Sequence, residues 1–168
     1  MLYHVSEEPG IARFEPRLGP TADHPVVWAV NASRLRNYLL PRDCPRVTFF
    51  PGPRTTAADR DRLLGQAEAV VAFESAWLDR VRKTQLFCYR LPEHGFACVD
   101  KCAGYFQSTS PVVPEGIDVV DDCLSALNSR GVEVRIVPTL WPLHDAVVAS
   151  TVSYSIIRMR NAAPRNSR

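Results

Sequence analysis

Apolar residues fall in short runs along this chain, and the spacing inside each run predicts an element. Residues 2–6 read Leu-Tyr-His-Val-Ser, an apolar-aromatic strand. Alternation puts Tyr3 and Val5 on one face and Leu2, His4 and Ser6 on the other. Residues 7–25 have no apolar period and carry Pro9, Pro16, Pro20 and Pro25. A connection of that length is often functional or mobile. Residues 26–30 read as a buried strand. Asn31 or Ser33 then caps a short helix bearing Leu35, Tyr38 and Leu39, which Pro41 stops.

Residues 46–50 form the next predicted strand, closed by Pro51-Gly52-Pro53. Thr56 with Asp59 three residues on resembles a capping pair, opening a helix to about Glu68. A strand over 69–73 leads to a helix capped by Ser75 and bearing Trp77, Leu78 and Val81. Strands over 86–91 and 96–99 are joined at Glu93-His94-Gly95 as a hairpin. A further short strand covers 105–108. Residues 118–130 carry Val120, Cys123, Leu124 and Leu127 at helical spacing, with Gly131 as C-terminal cap. A strand over 132–137, a helix over 142–151 and a strand or helix extension over 152–157 complete the pattern. Helices and hairpins are interspersed without strict alternation. The expected fold is therefore α+β, one domain over 1–160 with a mixed, mainly antiparallel sheet and short helices. Residues 161–168 read as a flexible tail.

Composition narrows the setting. Hydrophobic residues make up 46% and charged residues 23% of the 168 residues, as in a globular protein. The formal charge of +2 gives no indication of a nucleic-acid partner. No run of about 18 apolar residues is present, so no membrane span is expected. The first residues do not read as a basic region followed by an apolar stretch and a small-residue cleavage site, so secretion is not expected. The five cysteines (Cys44, Cys88, Cys98, Cys102 and Cys123) are odd in number and irregular in spacing. Reduced thiols in a cytoplasmic protein are the expectation.

Several residues are candidates for chemistry, each with a structural alternative. His4 would meet a ligand on the sheet with Ser6 beside it, or be a satisfied histidine at the core edge. Arg158 and Arg160 would project from one face if 156–160 is a strand, a pair suited to pyrophosphate. Arg42 and Arg46 flank Asp43-Cys44-Pro45; ion pairing with Asp43 or Asp145 is the alternative for the arginines. Glu74 ends an apolar strand where a catalytic carboxylate could stand, or it serves the next helix N-terminus. Glu115 follows Val112-Val113-Pro114 and poses the same choice. Tyr105 to Ser110 offers a stacking ring and hydroxyls. Trp28, Trp77 and Trp141 read as core. Cys88, His94, Cys98 and Cys102 lack the tight knuckle of a zinc site, so no metal is expected. His144 and Asp145 are adjacent, and their side chains are expected to diverge on a helix. No phosphate loop, dinucleotide fingerprint or nucleophile elbow is present.

The strand Leu2-Tyr3-His4-Val5-Ser6 resembles the first-strand signature of the ADP-ribosyltransferase fold. The resemblance implies that His4 contacts a ribose and that the following backbone holds the nicotinamide amide of NAD. It would place the family's second motif at Ser108-Thr109-Ser110 and its late glutamate at Glu115 or Glu133. The RNA 2'-phosphotransferase branch of that fold uses arginines instead, for which Arg42, Arg46, Arg158 and Arg160 are available. The whole chain also resembles a family of small uncharacterised bacterial proteins. Tyr38-Leu39-Leu40-Pro41-Arg42-Asp43-Cys44-Pro45-Arg46 and Ser155-Ile156-Ile157-Arg158-Met159-Arg160 carry that likeness. The resulting expectation is an NAD- or nucleotide-binding protein. His4, Ser6, Tyr38, Arg42, Tyr105, Ser108 and Arg158 would line its ligand cleft. Glu74 or Glu115 would supply the carboxylate if the nicotinamide–ribose bond is cleaved. The alternatives are a non-catalytic binding or interaction module, and an RNA 2'-phosphotransferase.

Overall fold

A computed structural model describes residues 1–19 and 23–165. The protein is α+β, with mainly antiparallel sheets and short helices. Its strands form two sheets instead of the one expected, and the chain gathers into two compact units. One comprises Met1–Leu39 with Gln85–Asp121; the other comprises Leu40–Thr84 with Asp122–Arg168.

The first unit holds six strands: β1 (Leu2–Ser6), β2 (Val27–Asn31), β5 (Leu86–Leu91), β6 (Ala97–Asp100), β7 (Tyr105–Ser108) and β8 (Gly116–Val120). Their order is β6-β7-β2-β1-β5-β8, antiparallel throughout. Alternation divides its side chains between two faces. Leu2, Val27, Ala29, Tyr89 and Leu91 share a core with Phe14 and Val112. The irregular segment after β1 closes that face. The Tyr89 hydroxyl donates to Glu8 O (2.7 Å) and accepts from Ile11 N (3.0 Å), and Phe14 bridges to Val112. The long connection is thus pinned by a buried tyrosine; residues 20–22 of it lie outside the described residues.

Two predicted elements differ here. The 86–91 and 96–99 strands make no hairpin: β5 pairs with β1 and β8, while β6 turns back onto β7. The predicted 118–130 helix divides. Its first residues belong to β8, where Leu86↔Val120 and Cys88↔Asp118 pair, and the helix proper starts after Asp122. Helical spacing of Val120, Cys123 and Leu127 is also what a strand followed by a short amphipathic helix produces.

The second unit is a four-stranded sheet, order β10-β3-β4-β9. Its strands are β3 (Arg46–Phe50), β4 (Ala69–Glu74), β9 (Val132–Val137) and β10 (Ser153–Ile157). β4 runs parallel to β9; the other pairs are antiparallel. β3 and β4 are central and buried along their whole length, which is why they read as near-continuous apolar runs. Val47, Phe49, Val70 and Ala72 pack with Leu63, Leu64, Leu140 and Val147. The helices are α1 (Ala57–Asp59), α2 (Leu78–Lys83), α3 (Cys123–Asn128) and α4 (Trp141–Val148). Thr56 caps α1 by accepting from Asp59 N, and α1 widens into a π turn over Arg60–Leu64, short of the expected Glu68. No helix among the described residues is long and apolar enough to cross a membrane.

The expected flexible tail is held in this unit over residues 161–165. Trp141 Nε1 donates to Ala163 O (2.7 Å), and Arg165 lies over the Trp141 ring and pairs with Asp145. Residues 166–168 lie outside the described residues.

Candidate functional site

β1 sits between β2 and β5, but its two neighbours treat it differently. It pairs with β5 along all five residues, from Leu2↔Leu91 to Ser6↔Phe87. With β2 it pairs at Leu2↔Asn31 and Tyr3↔Val30, and among the described residues no further pair follows. The strands part at His4. There the imidazole takes over a main-chain role: His4 Nδ1 bonds to Trp28 O at 2.9 Å. A carbonyl only accepts, so Nδ1 carries the proton, and in the neutral ring Nε2 carries the lone pair. The other side of the ring rests 4.7 Å from Phe14, on the covered face. His4 is half-buried, and its ring ties β1 to the Trp28 carbonyl of β2 where the ladder between the two strands ends.

The opposite face carries Tyr3, Trp28, Tyr105, Gln107 and Arg90, all half-buried, by the same alternation. Trp28 meets Tyr105 edge-on at 5.9 Å, and Tyr38 Oη donates to Tyr105 Oη at 2.8 Å. Tyr38 arrives on the 3-10 segment Ala32–Tyr38, which starts where Asn31 accepts from Arg34 N. His4 is thus joined to the Trp28 main chain, and the Trp28 ring to Tyr105 and through it to Tyr38. Three of those four were sequence candidates. Trp28, read as core, joins them: it is half-buried, on the face opposite Val27 and Ala29.

Other candidates are engaged elsewhere. Ser6 Oγ accepts from Glu8 N, and Ser108 is buried, bonding to Ser110 N and O, so both hydroxyls serve local turns. Glu74 is 2% exposed. Its Oε1 accepts from Leu140 N (3.0 Å) and its Oε2 from Ala163 N (2.8 Å). Both oxygens accept from backbone N–H groups, so the carboxylate clamps the start of α4 and the segment at Ala163 to the end of β4. Glu115 is exposed, two strands and two residues from His4, ~12 Å by strand geometry. Glu133 is exposed on β9 and pairs with Arg135.

Arg46 and Arg158 of the second unit are engaged as well. Arg46 is buried, and its guanidinium donates to Leu40, Pro41, Arg42 and Cys44 carbonyls, knotting the 40–46 loop. Arg158 reaches Arg42 O and pairs with Asp43. Its backbone is left-handed (φ 59°), β10 ends at Ile157, and a 3-10 turn takes Met159–Asn161. Arg158 and Arg160 therefore do not share a strand face. Arg42 and Arg158 belong to one unit and His4, Tyr38 and Tyr105 to the other.

Burial pushes the Cys44 thiol up to about 12, with Arg46 opposing only in part. Cys44, Cys88 and Cys123 are buried free thiols; Cys98 and Cys102 are exposed ones. Among the described residues no group of three His, Cys, Asp or Glu is placed to hold a metal ion. His144 Nδ1 reaches Asp145 Oδ1 at 2.9 Å, so these neighbours meet on α4 where divergence was expected. The His144 partner holds the Asp145 carboxyl below its ordinary value, with Arg165 adding to it.

No curated protein and no solved structure matches the chain. The sequence model of one family, described as a family of unknown function (DUF6886), matches residues 3–162, and the chain belongs to that family.

Proposed function

We propose that the unit built on β1 binds a nucleotide of the NAD type on its Tyr3–Trp28–Tyr105 face, without transferring it. The observation that carries this reading is the parting of β1 and β2 after Tyr3↔Val30, beside half-buried aromatic rings. Strand edges that part leave peptide groups in need of hydrogen-bond partners, and a carboxamide satisfies such groups. Rings beside the opening offer stacking, worth ~1–3 kcal/mol per base. His4 is a positioning residue, holding the Trp28 carbonyl and with it the indole. The likeness of β1 to the ADP-ribosyltransferase first strand supports the same ligand.

Binding without transfer is favoured because the carboxylates offered by the sequence are placed elsewhere. Glu74 is sealed by two backbone donors, and Glu115 stands two strands from His4. Titration calorimetry with NAD tests the reading. The wild type is expected to bind, and Trp28→Leu and His4→Ala to bind at least ~10-fold more weakly, the loss of about 1.4 kcal/mol. No heat at millimolar NAD overturns the nucleotide reading. Steady release of nicotinamide overturns the statement that no transfer occurs.

A further inference from the structure

We infer that β8 is a docking edge at which two copies of this chain pair antiparallel, joining their six-stranded sheets. Among the described residues β8 pairs with β5 alone, so it ends the sheet with one row of peptide N–H and C=O groups unpartnered. Such a row is a template for a further strand. The side chains along it are apolar: Ile117 is 40% and Val119 51% exposed. Both stand on the core face, across from Tyr89 and Phe87. The apolar row that begins in the core thus runs out to the edge and ends uncovered.

β8 lacks the devices that blunt an edge, which are lysine, proline, a bulge or an outward charge. β6, the opposite edge of the same sheet, is broken by a register shift between Cys98 and Asp100. β9, an edge of the second unit, carries the Glu133–Arg135 pair. β8 pairs with β5 in unbroken register, and its one charged residue, Asp118, is ion-paired back to Arg90 on β5. The same charge picks the occupant and its register. A twofold axis through Asp118 would set two carboxylates opposite each other with Cβ atoms ~5 Å apart, which is repulsive. Moving the axis to Ile117 pairs Ile117 with the partner's Ile117, and Asp118 with the partner's Gly116. Arg90 lies over Gly116, where any Cβ would collide with its guanidinium. Each Asp118 then stands beside the arginine of the other copy, and the two Ile117 side chains cover each other. A second β8 therefore supplies both the apolar side chain and the carboxylate that this edge accepts. Five residues a side bury well under the ~1,200 Å² of a stable complex, so the dimer is weak and forms at high concentration.

Sedimentation velocity over a range of protein concentrations tests the pairing. The wild type is expected to pass from monomer to dimer between about 10 μM and about 1 mM, the range of a weak complex. Ile117→Lys combined with Val119→Lys puts charge on the edge and is expected to stay monomeric throughout. Both side chains are exposed, so its melting temperature is expected to match the wild type. Register is read by cross-linking in a Cys98→Ser, Cys102→Ser background, which removes the exposed native thiols. Residues directly opposite in an antiparallel pair have Cα atoms ~4.5–5.5 Å apart, within disulfide reach. Ile117→Cys is therefore expected to form a disulfide-linked dimer under mild oxidation by air. Val119→Cys, two residues from the axis on each strand, is expected to stay reduced. A wild type that is monomeric up to about 1 mM overturns the proposal. A double-lysine variant that still dimerises, or a disulfide at 119 in place of 117, overturns it too.

Discussion

A side chain's partners decide whether it is chemistry or structure, and Glu74 shows how far residue type alone misleads. A carboxylate at the end of an apolar strand looks catalytic, yet each oxygen accepts from a backbone N–H. Replacing it by glutamine turns one acceptor into an NH2 aimed at a donor. Glu74→Gln is expected to lose ~1–3 kcal/mol, the cost of a buried unsatisfied donor, read as a lower urea midpoint with unchanged slope. The cysteines follow the same logic. With Cys44 buried and its thiol at about 12, no reactive thiolate exists there at pH 8. A chromogenic disulfide at that pH is expected to titrate Cys98 and Cys102 quickly, and Cys44, Cys88 and Cys123 only in denaturant. A fast third equivalent mapped to Cys44 would contradict the packing.

At the scale of elements, short pieces are joined by side chains that act as splints. Asp59 ends α1 and reaches across to the turn before β10, accepting from Thr151 N (2.8 Å) and Thr151 Oγ1 (2.7 Å) while pairing with Arg62. The Arg62 bond first, then those of Thr151, hold its carboxyl at about 2 against an ordinary 3.8. A carboxyl depressed in the folded state stabilises fully above its unfolded value, and that stabilisation is lost as pH falls through the folded one. Melting temperature is thus expected to fall between pH 4 and pH 2 in the wild type, and less steeply in Asp59→Asn. Parallel curves would remove Asp59 from the acid response. The helix register was harder to read from sequence than the caps. Thr56 caps where its side chain predicts, and of Asn31 and Ser33 it is Asn31 that caps, because a cap is a local bond within three residues. The start of the helix before Gly131 is set by β5, which claims 116–120 for pairing.

For the molecule as a whole, the chain alternates between its two units, entering the first twice and the second twice. Each sheet is therefore assembled from distant segments, with β1 between β2 and β5 in one, and β4 beside β9 in the other. The C-terminal segment is part of the second unit's folding. Ending the chain at Arg160 removes Ala163 N from Glu74 and Ala163 O from Trp141. That truncation is expected to cost ~2–4 kcal/mol by the loss of two partly buried bonds, one to a charged group. Chemical unfolding followed by tryptophan fluorescence measures it; a stability equal to the full chain would show that the segment contributes nothing.

The amino-acid sequence by itself determined what is local. Apolar runs and turn residues marked nearly every strand, the caps at Thr56 and Asn31, and the α+β class, because each depends on neighbours a few positions away. His4, Tyr38 and Tyr105 were legible as candidates from residue type and strand parity. Tertiary structure decided which strands pair, and hence everything that depends on pairing. Only the early end of the β1–β2 ladder gave His4 its bond to the Trp28 carbonyl. Only cross-strand register brought Arg90, Tyr3 and Gly116 together from positions far apart in the chain. Only long-range backbone donors spent Glu74, and only the 40–46 loop carbonyls spent Arg46. Hydrogen-bond partners supplied from dozens of residues away leave no period in a sequence, which is why those roles waited for the fold.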